Sequence, residues 1–191
     1  KQDGIDHFFE ALKHFEDDLG YTNWYAVLIG PVDDLQGLQQ MAAELGIAQR
    51  VHFTGYLRAQ DWVPLVSTAD ICVEPCPANP LNEISTMNKL MDYMALSKPI
   101  VAYDLREHRI TAGDAALYAR PNDTRDLARH FALLAEQPGL RQRLGDIGRR
   151  RVDDCLAWRH QKRILLETYS QLTGHPLAVP DPQPGMQDTY Q

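Results

Sequence analysis

Cysteine is scarce in this chain of 191 residues, basic residues are outnumbered, and long apolar runs are missing. The three cysteines, Cys72, Cys76 and Cys155, cannot all pair, and a chain of this length buries enough surface to fold without disulfide staples. Such usage fits a cytoplasmic compartment. Cys72 and Cys76 lie four apart, but no Cys or His pair nearby completes a zinc set, so no metal is expected. No stretch approaches the roughly 18 to 20 apolar residues of a membrane span. With 19 Lys and Arg against 26 Asp and Glu, the formal net charge is -7, which argues against a nucleic-acid partner because phosphate backbones reward clustered cations. The densest basic cluster, Arg149-Arg150-Arg151, reads as a solvated helix face. An initiator Met and an apolar leader are lacking at Lys1-Gln2-Asp3-Gly4, so the expectation is a domain cut from something longer.

The common nucleotide signatures are absent too. After the apolar run that ends at Ile29 the chain reads Gly30-Pro31-Val32-Asp33-Asp34, with one glycine and two acids where a dinucleotide fingerprint needs three glycines. No P-loop string and no Gly-x-Ser-x-Gly elbow occurs.

What is present is alternation. Ile5, Phe8, Phe9, Leu12, Phe15 and Leu19 recur at helical spacing up to Gly20, and Trp24 to Ile29 is an apolar run of strand length. The pattern then predicts a helix over 35–45, a strand over 51–53, a helix over 61–67 and a strand over 71–74. Past an irregular Pro-rich stretch, 75–81, come a helix over 85–96 and strands over 99–103 and 115–119. Three helices follow, over 123–136, 139–155 and 158–172, with Trp62 and Trp158 read as core anchors. Strands that alternate with helices imply an α/β fold, a Rossmann-like parallel sheet flanked by helices, here with a helical C-terminus. The domain is expected over 1–174, and the Pro-rich tail 175–191 is expected to be poorly ordered or to lie against a partner.

Ligands of open parallel sheets sit at the carboxyl ends of the strands, which directs attention to the segments after Ile29, Phe53, Glu74 and Tyr103. Ser85 or Thr86 is a suitable N-cap for the helix that follows, and free amides in its first turn make an anion seat. Lys89 lies one turn in, and Asp92 follows it by three on roughly the same face. A plain amphipathic helix with a solvated Lys89/Asp92 pair accounts for the same spacing. Gly55-Tyr56 is either a tight turn or a wall beside a base, and Glu107 is either part of a surface helix turn or an acid near a ligand. Arg106 and Arg109 can approach phosphate from the same loop, whereas His108 reads as a surface residue.

The segments His52-Phe53-Thr54-Gly55, Ala69-Asp70-Ile71-Cys72-Val73-Glu74-Pro75 and Met91-Asp92-Tyr93-Met94-Ala95-Leu96-Ser97-Lys98-Pro99, in this order, resemble a known family. They are similar to the C-terminal, donor-binding domain of the retaining GT-B glycosyltransferases of family 4. The likeness runs from Gly4 to Leu172 and includes Trp158 and the turn 112–118. It implies a glycosyltransferase that uses a nucleoside diphosphate sugar with retention of configuration. It implies no cofactor, no metal, and a missing N-terminal Rossmann-like domain and first strand, so that the fragment alone would be inactive.

The resemblance also implies roles. Two acids eight apart normally flank the helix start. Asp92 matches the one that holds the ribose; the other falls on Ile84, so either the loop absorbs one residue and Glu83 contacts the sugar, or that contact is absent. Ser85, Thr86 and Met87 stand where backbone amides hold the diphosphate, with Gly55 and Tyr56 beside the base and Lys89 on the phosphates. Ser97 occupies the usual helix-ending glycine, and Asp3 precedes Gly4 where the family often has a lysine. The acceptor is unspecified: a glycan, a lipid-linked sugar or a small molecule. Placement is cytoplasmic, with attachment at the inner face of a membrane as an option. A non-catalytic nucleotide-binding module and a GT-B sugar epimerase are the alternatives.

Overall fold

Apolar residues at every third or fourth position make the first element, α1 (Ile5–Asp17), a helix whose inner face buries Phe9, Leu12 and Phe15. The computed structural model describes residues 2–175, and these fall into two compact units that divide between Val152 and Asp153. In the first unit α1 is followed by β1 (Ala26–Leu28), α2 (Leu35–Glu44), β2 (Val51–Phe53), α3 (Ala59–Thr68) and β3 (Cys72–Glu74). Then come α4 (Asn88–Ala95), β4 (Ile100–Tyr103), α5 (Arg106–Ala112), β5 (Ala116–Ala119), α6 (Thr124–Glu136) and α7 (Pro138–Arg151). Two helix starts are capped by aspartates, Asp34 accepting the Gly37 N–H at 2.8 Å and Asp123 that of Asp126 at 2.9 Å, and Pro138 opens α7.

Every ladder pairing is parallel, with Ala26 opposite Val51, Cys72 opposite Ile100 and Ile100 opposite Ala116. The alternation points to one sheet, but the strands form two ladders, β1-β2 and β3-β4-β5. β1 and β3 therefore each keep an edge without a ladder partner among the described residues. β4 is paired on both sides and all four of its residues are buried. Val101 and Tyr103 join Phe9, Phe15, Leu127, Phe131 and Leu134 in a core beneath α1 and α6, where Phe15 and Phe131 meet edge to face. Each such fully buried side chain contributes about 1.5 to 3 kcal/mol. On the opposite face, Leu90 and Met94 of α4 are fully buried.

Ser97 has φ 55°, so a non-glycine does occupy the left-handed position that ends α4. α7 then crosses close behind it: a Cβ at Gly145 would come within 2.1 Å of the Ser97 carbonyl oxygen.

Several expectations needed correction. The sequence suggests no more than a surface helix turn at Glu107, whereas α5 runs over Arg106–Ala112; its inward residues include His108 and Thr111, which blur the apolar period. α7 ends at Arg151, short of the expected 155, and a π-helical turn spans Val152–Leu156. In the second unit, α8 (Trp158–Thr173) presents Trp158 at 66% exposure, so Trp158 is not a core anchor there. Trp62 is half-buried. The tail 175–191 lies, except for His175, outside the described residues.

Candidate functional site

The carboxyl ends of β3 and β4 define one rim, and the chain leaves it by two routes, from Glu74 into α4 and from Tyr103 into α5. The stretch between β3 and α4 is irregular but internally tied. Asn79 Oδ1 accepts the N–H groups of Leu81 and Asn82 at 3.0 and 2.9 Å, the local turn that Asn side chains favour. Asn82, fully buried, donates to the carbonyls of Pro77 at 2.9 Å and Gln2 at 3.3 Å, which draws the segment before α1 onto this loop. Gly4 completes that approach: its φ is 64°, and a Cβ there would lie 1.9 Å from the Pro75 carbonyl oxygen, so no other residue fits without movement.

The Gly4 turn carries Asp3 to Lys89. Lys89 Nζ lies 3.0 Å from Asp3 Oδ1 and 3.4 Å from Glu74 Oε2. Glu74 is fully buried, and its other oxygen accepts the Cys76 N–H at 3.3 Å. The Lys89 contact to Glu74 is electrostatic, since Oε2 has no aligned hydrogen bond. Burial alone would lower the Lys89 pKa, but the carboxylates of Glu74 and Asp3 outweigh it and hold the ammonium above its usual value. Glu74 was not singled out from the sequence. Its signal was an acid closing an otherwise apolar strand, Ile71-Cys72-Val73-Glu74.

α4 begins at Asn88, not at Ser85, and its N-cap Met87 makes no side-chain hydrogen bond. Ser85 and Thr86 are diverted elsewhere. Ser85 Oγ donates to the Leu81 carbonyl at 2.7 Å, and Thr86 Oγ1 donates to Glu107 Oε2 at 3.0 Å. Glu83, in a short 3-10 turn (Asn82–Ile84), accepts the Arg106 N–H at 3.0 Å and so caps α5. The expected register position Ile84 points its side chain at solvent, 69% exposed. Asp92 lies on the exposed side of α4, yet neighbouring protein withdraws enough water to raise its carboxyl pKa. Asp3, Glu83, Lys89, Arg106 and Glu107 are thus brought to one rim.

Gly55 and Tyr56 belong to the other ladder. Gly55, with φ 64°, follows β2, and its carbonyl accepts the Gly30 N–H at 3.0 Å. Tyr56 beside it is 77% exposed. Arg109 donates to both oxygens of Asp104, at 2.6 and 2.8 Å, and those bonds hold the Asp104 carboxyl below the usual range. His108, expected on the surface, is fully buried: its Nδ1 meets the Tyr103 carbonyl at 2.9 Å and its Nε2 has no partner. A cavity of about 450 Å³ lies over the β1-β2 ladder, between Tyr25, Val27, Gln49, His52 and Leu65, and includes none of the expected site residues. Among the described residues no cluster of His, Cys, Asp or Glu could hold a metal ion, and no helix is long and apolar enough to cross a membrane.

Residues 1–137 match the family described as Glycosyl transferases group 1. The chain belongs to that family. Its 136-residue likeness to the MMP alpha-(1->4)-mannosyltransferase of Mycolicibacterium hassiacum is 30% identical and covers 70% of this chain and 32% of the relative. Similar solved structures include HepE of Anabaena in complex with UDP, 18% identical with TM-score 0.76, over 89% of this chain and 46% of that one. Sucrose-phosphate synthase of Thermosynechococcus elongatus is 20% identical with TM-score 0.78, over 91% and 43%. The C-terminal domain of a glycosyl transferase group 1 family protein of Francisella tularensis is 19% identical with TM-score 0.67, over 81% and 80%. The chain thus spans about a third of the curated relative, and its fold is the Rossmann-like one of the GT-B glycosyltransferases.

Proposed function

We propose that this glycosyltransferase chain is the donor-binding half of an enzyme that transfers a sugar from a nucleoside diphosphate sugar with retention of configuration. The observation that carries the reading is the start of α4. It places amides and Lys89 at the carboxyl rim of β3 and β4 in a chain that matches the family across that whole region. An α-helix start with uncommitted N–H groups favours an anion. The HepE relative was solved with UDP and, separately, with UDP-glucose, which supports a uridine nucleotide as the first probe.

On this reading the amides around Ser85, Thr86 and Met87 and the Lys89 ammonium stabilise the departing diphosphate without a metal. Asp92 holds the ribose, Gly55 and Tyr56 flank the base, and the second Glu83 oxygen faces the sugar. Retention follows if the acceptor hydroxyl attacks from the leaving-group side, its proton passing to a phosphate oxygen as the new glycosidic bond forms. Acceptor contacts then come from a second Rossmann-like domain. The two open ladder edges, with Gln2 and Gly4 drawn to the carboxyl end of β3, support a strand before α1 that runs between β1 and β3.

The test is titration of the full-length protein with nucleoside, nucleoside diphosphate and sugar nucleotide, together with a turnover rate. Asp92→Asn should weaken both nucleotide ligands by about 1 to 2 kcal/mol. Glu83→Gln keeps an oxygen for the Arg106 N–H and should lower turnover while leaving diphosphate affinity intact. Binding without any turnover by the wild-type protein would favour a non-catalytic module instead.

A further inference from the structure

Around the rim at the carboxyl ends of the strands, nearly every cation among the described residues is already answered. Lys89 sits between Asp3 and Glu74, so that trio has more negative than positive charge. Arg58 pairs with Asp61 at 3.3 Å, and Arg120 with Asp123 at 2.8 Å. Arg109 is committed to Asp104 and lies over the Tyr118 ring, 4.0 Å from its centre. Arg106 is the exception, exposed and in no ion pair.

The backbone of Arg106 is nevertheless fixed. Its N–H is held by Glu83 at 3.0 Å, and the next residue, Glu107, is held by the Thr86 hydroxyl at 3.0 Å. These two bonds fasten the start of α5 to the turn that leads into α4, so Arg106 is delivered beside the first amides of α4 by residues that sequence reasoning assigned to the ligand. A nucleoside diphosphate brings at least two negative charges, and partial charges at a helix start amount to about half of one. With Lys89 compensated, the seat is short of positive charge.

The geometry points to Arg106 as the cation that meets the donor diphosphate, with Glu83 and Thr86 as positioning residues that set the helix it stands on. This rests on the reading above that the α4 start holds the diphosphate. A guanidinium can take two phosphate oxygens at once, which an ammonium cannot.

The experiment uses the full-length protein with UDP against uridine, and ADP and GDP against their nucleosides, at two salt concentrations. The wild type should bind one diphosphate more tightly than its nucleoside. Arg106→Met should weaken that diphosphate about 10-fold or more, leave the nucleoside unchanged and flatten the salt dependence, and Arg106→Lys should recover part of the loss. Because the side chain has no partner among the described residues, the melting temperature should stay within about 1 °C of wild type. If wild type fails to distinguish any diphosphate from its nucleoside, the site reading fails and this inference with it. If wild type distinguishes them and Arg106→Met does so equally, or loses nucleoside affinity in step, the role of Arg106 alone is overturned.

Discussion

Replacing Lys89 with Met tests the buried charge beneath the site. The substitution keeps most of the side-chain volume and removes the cation that lies 3.4 Å from Glu74, a carboxylate with no exposure to solvent. Removing one partner of a buried pair costs about 3 to 5 kcal/mol, since the desolvation of the survivor is no longer compensated. Lys89 keeps 34% of its side chain exposed, so solvent already shares the task, and about 2 kcal/mol is the expected loss. For a chain of this size that is about 4 to 8 °C in melting temperature. Asp3→Asn breaks the other Lys89 contact, but Asp3 is 67% exposed and should cost less than about 0.5 kcal/mol. The double variant Glu74→Gln, Lys89→Met removes both buried charges and should regain more than half of the single-variant loss. Thermal and urea unfolding of wild type and these three variants, with Glu74→Gln as the second single variant, completes the cycle. A Lys89→Met protein as stable as Asp3→Asn, or a double variant no better than Lys89→Met, would refute the account of Glu74 as a charge dependent on Lys89. The stability figure also matters to function, because a loss of ligand affinity in a Lys89 variant must be measured well below its new melting temperature.

Other substitutions probe packing and backbone. Gly145→Ala should destabilise by about 1 to 3 kcal/mol, since its Cβ meets the Ser97 carbonyl, whereas Gly139→Ala, with nothing within 4 Å, should be neutral or gain a few tenths; equal unfolding midpoints would contradict this. Ser97→Gly should stabilise by about 1 kcal/mol by relieving the left-handed φ of 55°, and a lower melting temperature would rule that out. The Asp104 carboxyl is held low by Arg109, so the pair contributes above the unfolded value of about 3.9 and loses its contribution as pH falls through the depressed folded value. Arg109→Gln should therefore destabilise slightly at pH 7, by well under 1 kcal/mol for so exposed a pair, and by less at low pH, where only its contact with the Tyr118 ring is lost; an equal effect at both would be the contrary result.

The strands and most helices were legible because their signals are local. Val51–Phe53 matches the sequence reading residue for residue, and Gly20 and Gly46 lie just past α1 and α2, as expected from the breaks in apolar period. The start of α4 was misplaced because Ser85 and Thr86 have two uses. Sequence patterns weigh their capping of the next helix, but the fold spends them on Leu81 and Glu107, twenty-one residues away in the second case. His108 misled for the opposite reason, since its burial depends on a carbonyl of β4 that periodicity does not register. The segments after Glu74 and Tyr103 were readable as leaving strand ends, and the structure brings both to one rim. The ties from Glu83 to Arg106 and from Glu74 to Lys89 were not, because each joins segments whose approach is settled by packing.

The split of the strands into two ladders has a consequence for how the first unit opens. Among the described residues no ladder hydrogen bond joins β1-β2 to β3-β4-β5; α1 packs against both groups, its Phe9 ring meeting that of Phe53 at 6.2 Å within the core that also holds Val101 and Tyr103. As long as no strand pairs with both the β1 and the β3 edge, amide exchange should therefore proceed in two tiers. The β1-β2 group, with Val27 43% exposed, can exchange its amides through a partial opening that leaves the larger ladder intact. The β4 amides, covered on both faces and both edges, should exchange last, at the rate set by unfolding of the whole unit.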